Sequence, residues 1–388
     1  MDQRNEFIGE WLKGERPLAE ISREYGISRK TAYKWVERFQ EGGRAGLGDR
    51  SRAPGHSPQA IDKATGARIV AEREKHPSWG ARKILQSLRR EKPEVRWPAA
   101  SSIGELLKRE GLIQNRQVRR RTPPYSEPLA HATAPNQVWC ADFKGWFACG
   151  DGTRCDPFTV SDAFSRYLLR CRAVEKSDGA HVRALMEAIF REYGLPEAIR
   201  TDNGAPFCSR APGGLSRLSM WWLQLGIGHE RIAPGCPQQN GRHERMHRTL
   251  KQETASPPAA NGRRQQEAFA AFERMYNQER PHEALEWKTP SQLYVGSARI
   301  YPARLPELVY PGGVQLRRIS QQGSLKWRSE RTFLSEVLAR QTVGLLETEE
   351  DFFEVYYGPI LLGWFDGRSH LFEPERPRPR RQRSRRAA

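Results

Sequence analysis

The sequence predicts a multidomain chain with helical modules at its start, an α/β domain in the middle and a small β-rich domain near its end. At 388 residues the chain is too long for one ordinary hydrophobic core, so several domains are expected. Apolar residues recur with helical spacing as far as about residue 110, and with strand spacing from residue 138 and again beyond residue 305. A proline-containing stretch at 122–135 separates the helical part from the α/β part and is predicted to be a linker.

The charge of the chain points to a polyanionic partner. The net charge is +18 and the pI is near 9.9. Residues 51–121 carry +10 and residues 376–388 carry +7, whereas residues 1–50 carry only +1. A second N-terminal module and the C-terminal tail therefore hold almost all of the surplus positive charge.

The cysteines and the hydropathy of the sequence indicate the cellular compartment in which the protein is expected. The six cysteines form no Cys-x-x-Cys pair, which favours free thiols in a reducing cytoplasm. The N-terminus is polar, so no signal peptide is expected. The sequence contains no run of about 18 apolar residues, so no membrane span is expected.

Residues 1–50 are predicted to form a helix-turn-helix DNA-binding domain. Helical periodicity runs through 6–46, Gly26 supplies a tight turn, and Ser28 is well placed as the N-cap of the following helix. The outer face of that helix carries the side chains expected to contact DNA, namely Arg29, Lys30, Tyr33 and Lys34. The alternative is a small helical packing module with a solvated charged face, because this domain is almost neutral.

Residues 51–121 are predicted to form a second helical module, winged-helix-like and DNA-binding. Helical periodicity returns at about 59–75, 80–91 and 99–110. A basic run follows and is expected to contact DNA, namely Arg119, Arg120 and Arg121. A solvated charged face is again the alternative. Which of the two modules reads bases stays open at this point.

Residues 136–295 have the element order of a ribonuclease-H-like α/β domain. Three strands are followed by a helix, a strand, a helix, a strand and a helix. The predicted strands are 138–146, 153–160, 167–173, 198–201 and 228–232, and the predicted helices are 178–193, 218–225, one from residue 240, and 263–280. Trp221 and Trp222 are expected in the core rather than as a platform for base stacking.

Residues 305–372 contain short β-rich runs and are predicted to form a small five-strand β-barrel of the SH3 type. The runs are 313–319, 324–327, 343–347, 352–357 and 360–364. The tail, residues 373–388, has seven arginines among prolines. It is expected to be disordered and to bind phosphates.

Three acidic residues stand in distinctive local contexts. Asp142 lies in a strand among aromatic residues, Asp202 precedes an Asn-Gly turn, and Glu244 lies in the first turn of a helix that Asn240 would cap. Acids that converge from separate elements repel one another unless a cation is bound, so such a cluster indicates function. Two Mg²⁺ ions held by carboxylates can activate a water or a sugar hydroxyl and stabilise the leaving oxygen in phosphoryl transfer.

The helix that carries Glu244 also carries cations on the same face. Arg248 and Lys251 follow Glu244 by four and seven residues, which is the spacing of one helical face. They are expected to contact a phosphate backbone. His243 and His247 lie beside the acid and would either assist proton transfer or, as the preferred interpretation, face DNA or solvent.

The segment from Pro234 to Lys251 resembles the third motif of the integrase-core transposases of bacterial insertion sequences. It reads Pro-Gly-Cys-Pro-Gln-Gln-Asn-Gly-Arg-His-Glu-Arg-Met-His-Arg-Thr-Leu-Lys. The IS481-like group, which has a fused N-terminal helix-turn-helix, is the most similar. Three further segments are similar to motifs of that family, namely Ser161-Asp-Ala-Phe-Ser-Arg-Tyr167, Thr201-Asp-Asn-Gly204 and Tyr276-Asn-Gln-Glu-Arg-Pro-His282.

The resemblance covers about 135–295 and places the Asp-Asp-Glu triad of the family on Asp142, Asp202 and Glu244. Between the last two lie 41 residues, which is more than is usual in the family. The excess falls at 209–218 and is predicted to be a loop insertion. Asp162, in the second motif, is expected to be a turn residue or a fourth ligand.

The resemblance implies a DNA transposase that hydrolyses the 3′ ends of an insertion sequence and joins them to target DNA. It implies that the triad binds metal and catalyses, with two Mg²⁺ (or Mn²⁺) ions per active site. The implied partners are double-stranded DNA, as terminal inverted repeats and as target, and further copies of the chain in a homo-oligomer. The implied location is the bacterial cytoplasm, at the nucleoid. The alternatives are a metal-dependent nuclease of the same fold and a non-catalytic DNA-binding regulator.

Overall fold

The computed structural model describes most of the chain, in two compact units that comprise Met1–Asp62 and Lys63–Ala388. The described residues are 2–49, 60–113, 129, 131–174, 178–233 and 236–375. The basic run Arg119, Arg120 and Arg121, more than half of the predicted linker and nearly all of the predicted tail lie outside them. None of the helices in the described part is long and apolar enough to cross a membrane.

The described residues of the first unit form three helices, α1 (Asp2–Lys13), α2 (Leu18–Glu24) and α3 (Arg29–Gly46). Its core is formed by Phe7, Ile8, Ile21, Ala32, Val36 and Leu47. Gly26 has a φ of +64° between α2 and α3, a conformation in which glycine carries no steric cost. The side chain of Ser28 accepts the Thr31 N–H and caps α3. Both local predictions are confirmed, although α1 begins earlier than the sequence pattern indicated.

The second helical module contains α4 (Lys63–Lys75), α5 (Ala81–Glu91) and α6 (Ala100–Arg109). Its core includes Ile69, Trp79, Ile84, Leu88 and Ile103, all buried. Polar contacts fix this module to the α/β domain. Ser78 is hydrogen-bonded to Glu253, Arg82 donates to Glu283 at 2.9 Å, and Arg90 donates to the Glu279 carbonyl at 2.7 Å.

The α/β domain is built on a mixed sheet with the order β4-β3-β1-β5-β6, and the short β2 pairs with the far part of β3. β1, β3 and β4 are antiparallel, whereas β1, β5 and β6 are parallel. The strands are β1 (Val138–Phe143), β2 (Phe147–Ala148), β3 (Arg154–Asp162), β4 (Leu168–Val174), β5 (Ala198–Thr201) and β6 (Gly228–Arg231). The helices are α7 (Gly179–Tyr193), α8 (Arg217–Gln224), α9 (Gly241–Thr254) and α10 (Gly262–Arg274). This is the predicted ribonuclease-H-like order.

Both faces of this sheet are covered by helices. α7 and α8 cover one face, where Trp139, Phe190, Trp221 and Trp222 are buried together. The prediction that the two adjacent tryptophans belong to the core is therefore confirmed. α9 and α10 cover the other face through a second apolar cluster that includes Met246, Leu250, Phe269 and Phe272. All six cysteines are free thiols, as predicted.

The C-terminal module is β-rich, but no closed barrel is seen among its described strands. A five-stranded antiparallel sheet has the order β13-β12-β11-β10-β7, and β8 pairs only with β9 as a separate two-stranded ribbon. The strands are β7 (Gln315–Arg318), β8 (Ser324–Trp327), β9 (Glu330–Phe333), β10 (Thr342–Glu349), β11 (Phe352–Tyr357), β12 (Ile360–Asp366) and β13 (Leu371–Glu373). Ribbon and sheet share one core, since Leu325 packs with Val343 and Phe353.

The predicted loop insertion at 209–218 connects the α/β domain to this C-terminal module. Leu215 and Met220 are buried in the core cluster of the C-terminal module rather than in that of the α/β domain. A Cβ placed on Gly213 would lie 3.3 Å from Ile360 Cγ2, which shows how closely the loop approaches β12. This loop is therefore packed against the C-terminal module.

Candidate active site

Asp142 lies near the end of β1, partly buried, with both carboxylate oxygens engaged. Oδ1 accepts the Phe143 N–H at 2.8 Å, and Oδ2 accepts the amide of Asn240 at 3.0 Å. The sequence predicted Asn240 as an N-cap, but its side chain makes no capping hydrogen bond to α9. The amide is directed to Asp142 instead, because a short 3₁₀ turn over Pro237–Asn240 precedes the helix.

Asp202 follows β5 directly, and the strand register sets it beside Asp142. In the parallel pair β1–β5, Val138 is opposite Ala198 and Cys140 is opposite Arg200. The same offset, extended two residues past the last paired residues, aligns Asp142 with Asp202, and the charge of Asp202 acts on the Asp142 carboxylate. The Asp202 Oδ1 atom accepts the Gly204 N–H at 3.1 Å, so the predicted Asn-Gly turn fixes this carboxylate.

Glu244 lies in the first turn of α9 and is exposed. Arg248 and Lys251 are exposed on the same face of the helix, as the spacing predicted. The predicted DNA-contact residues of α3 are all exposed too, with Tyr33 at 65%. These residues are available to a ligand, whereas the basic run at 119–121 falls outside the described residues.

The three carboxylates interact electrostatically. Burial raises the pKa of Asp142 to about 7, and repulsion by Asp202 and by Glu244 acts in the same direction. The Phe143 N–H and Lys144 lower that pKa but do not balance the rise. Clustered carboxylates of this kind are stabilised when a divalent cation binds, and oxygen ligands suit hard cations such as Mg²⁺. The site is therefore chemically suited to a divalent metal.

A buried hydrogen-bond network lies behind Asp142. Thr159, which is opposite Asp142 in the β1–β3 register, donates its hydroxyl proton to the Asp142 carbonyl at 3.1 Å. The Nε2 atoms of His243 and His247 each lie 2.7 Å from the same hydroxyl oxygen. Because a hydroxyl has a single proton, both imidazoles must donate their Nε2–H to it. Ser161 then donates to Nδ1 of His243 at 3.0 Å.

The two histidines are therefore neutral bracing groups, and the prediction that they face DNA or solvent was wrong. Burial lowers the pKa of His243 to about 3 and that of His247 to about 2. One ligand atom from each histidine lies within 4.8 Å of one from Asp142, a spacing that could hold a metal. In this network, however, both Nε2 atoms are engaged in hydrogen bonds to the Thr159 hydroxyl. The sequence signal for this role was the i, i+4 histidine pair on the helical face that also carries Met246 and Leu250.

Asp162 is a turn residue at the end of β3. Its Oδ1 accepts the N–H and the hydroxyl of Ser165 at 2.7 and 2.6 Å, and its Oδ2 accepts the Asn136 N–H at 2.8 Å. Of its two predicted roles, the structure supports the turn. The hydrogen bonds hold the β3–β4 corner, where Arg166 adopts a left-handed φ of +65°.

Comparison with protein families assigns the central and N-terminal segments separately. Two models described as integrase core domain match residues 132–237 and 225–290. A model described as helix-turn-helix domain matches residues 3–55, and a homeodomain-like domain model matches residues 31–107. The integrase matches contain all three acidic residues of the site.

Similar proteins come from insertion elements. The chain is 29% identical over 283 residues to the 39.2 kDa protein of insertion element IS476 of Xanthomonas euvesicatoria, covering 73% of this chain and 79% of that protein. It is 28% identical over 240 residues to the 31.7 kDa protein of IS407 of Burkholderia multivorans, covering 61% and 82%. It is 29% identical over 172 residues to the transposase for IS904 of Lactococcus lactis, covering 43% and 65%.

Among solved structures, the HTLV-2 integrase catalytic core domain is 18% identical with a TM-score of 0.32, covering 42% of this chain and 98% of that one. A chain of the simian T-cell lymphotropic virus intasome in complex with PP2A regulatory subunit B56 gamma is 15% identical with a TM-score of 0.37, covering 76% of this chain and 97% of that one. The chain therefore contains an integrase core domain and N-terminal helix-turn-helix domains, and it is similar to proteins of insertion elements.

Proposed function

We propose that this chain is a transposase that hydrolyses the 3′ ends of an insertion sequence and transfers them to target DNA, using Asp142, Asp202 and Glu244 as its catalytic and metal-binding residues. The observation that carries the proposal is the partly buried Asp142 carboxylate beside two further acids: burial raises its pKa to about 7, and the charges of Asp202 and Glu244 act in the same direction. Such an arrangement opposes folding unless a cation compensates it.

The three carboxylates would hold Mg²⁺ or Mn²⁺, with two ions in each active site. The bound metal would supply Lewis-acid activation of a water or a 3′-hydroxyl and charge stabilisation at the leaving oxygen. The protein positions the ligands. The Thr159–histidine network fixes β1, Asn240 orients Asp142, and the Gly204 N–H orients Asp202.

DNA handling would be divided among the modules. The substrate would be double-stranded DNA, as terminal inverted repeats and as target. Exposed Arg248 and Lys251 lie on the Glu244 face and would contact the backbone near the acids. α3, with Arg29, Lys30, Tyr33 and Lys34, would recognise the element ends, and Arg119, Arg120 and Arg121 would add phosphate contacts. The chain would act as a homo-oligomer at the bacterial nucleoid.

The proposed domain division follows the sequence pattern. It comprises two DNA-binding modules at 1–50 and 51–121, a linker at 122–135, the catalytic core at 136–295, a β-module at 305–372, which would complete a barrel, and the tail at 373–388. Contacts of α4 and α5 with the catalytic core support a functional pairing of the second module with the active site.

A glutamine substitution at Glu244 tests the proposal. Glu244→Gln should abolish 3′-end cleavage and strand transfer on element-end DNA with Mg²⁺, while end binding stays within about twofold of wild type. Glu350→Gln, in an exposed hairpin turn, is the matched control and should keep full activity.

The reaction products of the wild-type protein also distinguish a transposase from the two alternative functions, a nuclease and a DNA-binding regulator. Cleavage without strand transfer by the wild-type protein would favour a nuclease, and binding without either reaction would favour a regulator. Full activity of Glu244→Gln would overturn the triad.

A further inference from the structure

A cavity lies on a different face of α9 from Glu244, between the second helical module and the α/β domain. Its volume is about 210 Å³. Five basic side chains line it, namely Lys83, Arg166, Arg242, Arg245 and Arg280. On α9 the lining residues Arg242, Arg245, Met246 and Thr249 share one face by their spacing. This face differs from that of Glu244, Arg248 and Lys251.

Four separate segments of the chain converge on this cavity. α5 contributes Lys83, the β3–β4 corner contributes Arg166, α9 contributes two arginines, and the segment after α10 contributes Arg280 and His282. The β3–β4 corner and the segment at 276–282 are two of the motifs found in the sequence. The carboxylate site uses the basic side chains of neither motif, so their role is not explained by the proposed catalysis.

The positive charges of these basic side chains repel one another unless an anion is bound. Burial lowers the pKa of Arg166 to about 10, with the charge of Arg242 acting in the same direction. Burial lowers the pKa of Lys83 to about 8, with the charge of Arg280 acting in the same direction. Glu283 is the acidic residue among the described lining residues, and it is ion-paired with Arg82 at 2.9 Å. The cavity therefore carries a large excess of positive charge.

One buried donor in this cavity lacks a partner among the described residues. Arg280 is only 8% exposed, and its Nη1 atom has no hydrogen-bond partner. An unsatisfied buried guanidinium nitrogen is costly, because charged donors lose strong hydration when they are buried. An oxyanion in the cavity would satisfy both the hydrogen-bonding need and the charge.

We propose that this cavity binds a backbone phosphate of the DNA substrate, at the junction of the helical module and the catalytic core. Arginine forks suit phosphate oxygens and can bind them in a bidentate way. Arg245 is exposed at the rim while Arg280 lies deep, so a strand could pass the rim with one phosphate directed inward. The assignment rests on the proposed transposase function and adds a DNA contact separate from the α9 face that carries Glu244.

The test measures the salt dependence of element-end binding by the full-length protein. Arg245→Gln at the rim and Arg280→Gln inside should each weaken binding and reduce the slope of log affinity against log salt by about one. Arg263→Gln is the matched control, since this side chain is 89% exposed on α10 and does not line the cavity. Its slope should equal that of wild type. If Arg280→Gln does not fold, the exposed Arg245 position still decides the outcome.

A second measurement distinguishes the source of the phosphate. Inorganic phosphate should raise the Tm of the wild-type protein and of Arg263→Gln, but not that of Arg280→Gln. Stabilisation by phosphate with unchanged DNA slopes in both variants would mean that the cavity takes a free anion, and would overturn the DNA assignment. Wild-type slopes and wild-type phosphate response in both variants would overturn the site itself. A wild-type protein inactive on DNA ends would instead contradict the proposed function.

Discussion

Replacing Asp142 with asparagine should stabilise the metal-free protein at alkaline pH. In the folded chain the pKa of Asp142 is about 7, whereas an unfolded aspartate has a pKa of about 3.9. Between these values the folded state holds a proton that the unfolded state has released. Stability therefore falls as pH rises from about 4 to about 7, and stays low above that range.

The size of this effect follows from the pKa difference. Three pH units correspond to about 4 kcal/mol of folding free energy at pH 8. Asparagine removes the charge but offers one acceptor where the carboxylate accepts from both Phe143 and Asn240, which costs about 1 kcal/mol. Asp142→Asn should therefore gain about 3 kcal/mol at pH 8. At pH 5 the ionisation cost is only about 1–2 kcal/mol, so most of the gain should disappear.

Urea denaturation in EDTA, followed by tryptophan fluorescence, measures the gain, because Trp139, Trp221 and Trp222 are all buried in the catalytic core. Addition of Mg²⁺ should then stabilise the wild-type protein at pH 8 and have little effect on Asp142→Asn. A variant no more stable than wild type at pH 8, or a gain of equal size at pH 5, would refute the electrostatic argument.

Three further substitutions test the bracing and backbone elements. Thr159→Val would leave two buried imidazole N–H groups without an acceptor and should lower stability by about 2–5 kcal/mol in thermal unfolding; a loss under about 1 kcal/mol would contradict the network. Gly194→Ala should destabilise more than Gly111→Ala. Both glycines have positive φ, but a Cβ at 194 would lie 2.6 Å from the Ser297 carbonyl, whereas one at 111 meets nothing within 4 Å; equal losses in urea denaturation would count against this packing. Ser28→Ala should remove about 1 kcal/mol from α3 and speed amide hydrogen exchange in its first turn; unchanged exchange rates would show that the cap contributes little.

The α/β domain was predictable because its local signals agree with its long-range packing. The sequence pattern predicts β5 at 198–201, and the structure has that strand with the same bounds. The observed helix α8 is displaced from the predicted 218–225 by one residue. The parallel register that brings Asp142 opposite Asp202 could not be derived from spacing, because it depends on pairing between strands about 60 residues apart.

Predictions failed where a side chain forms its hydrogen bond with a residue distant in the sequence instead of with a local one. Asn240 occupies the predicted N-cap position of α9, but its side chain donates to Asp142 instead of capping the helix. The histidines of α9 look polar in sequence, but Thr159 and Ser161 on β3 supply buried partners for them. In the C-terminal module, β9 and β13 are short and partly charged, and the pattern missed both. Barrel closure depends on edge pairing, which no local pattern reveals.

The loop at 209–218 gives the chain an unusual constraint on length. Leu215 is part of the hydrophobic core of the C-terminal module. Shortening this loop would therefore remove a core side chain and leave a cavity in that module. The loop at 209–218 and the strands of the C-terminal module against which it packs are therefore expected to change together in evolution. Any graft of this catalytic core onto another C-terminal module would have to carry a matching loop with it.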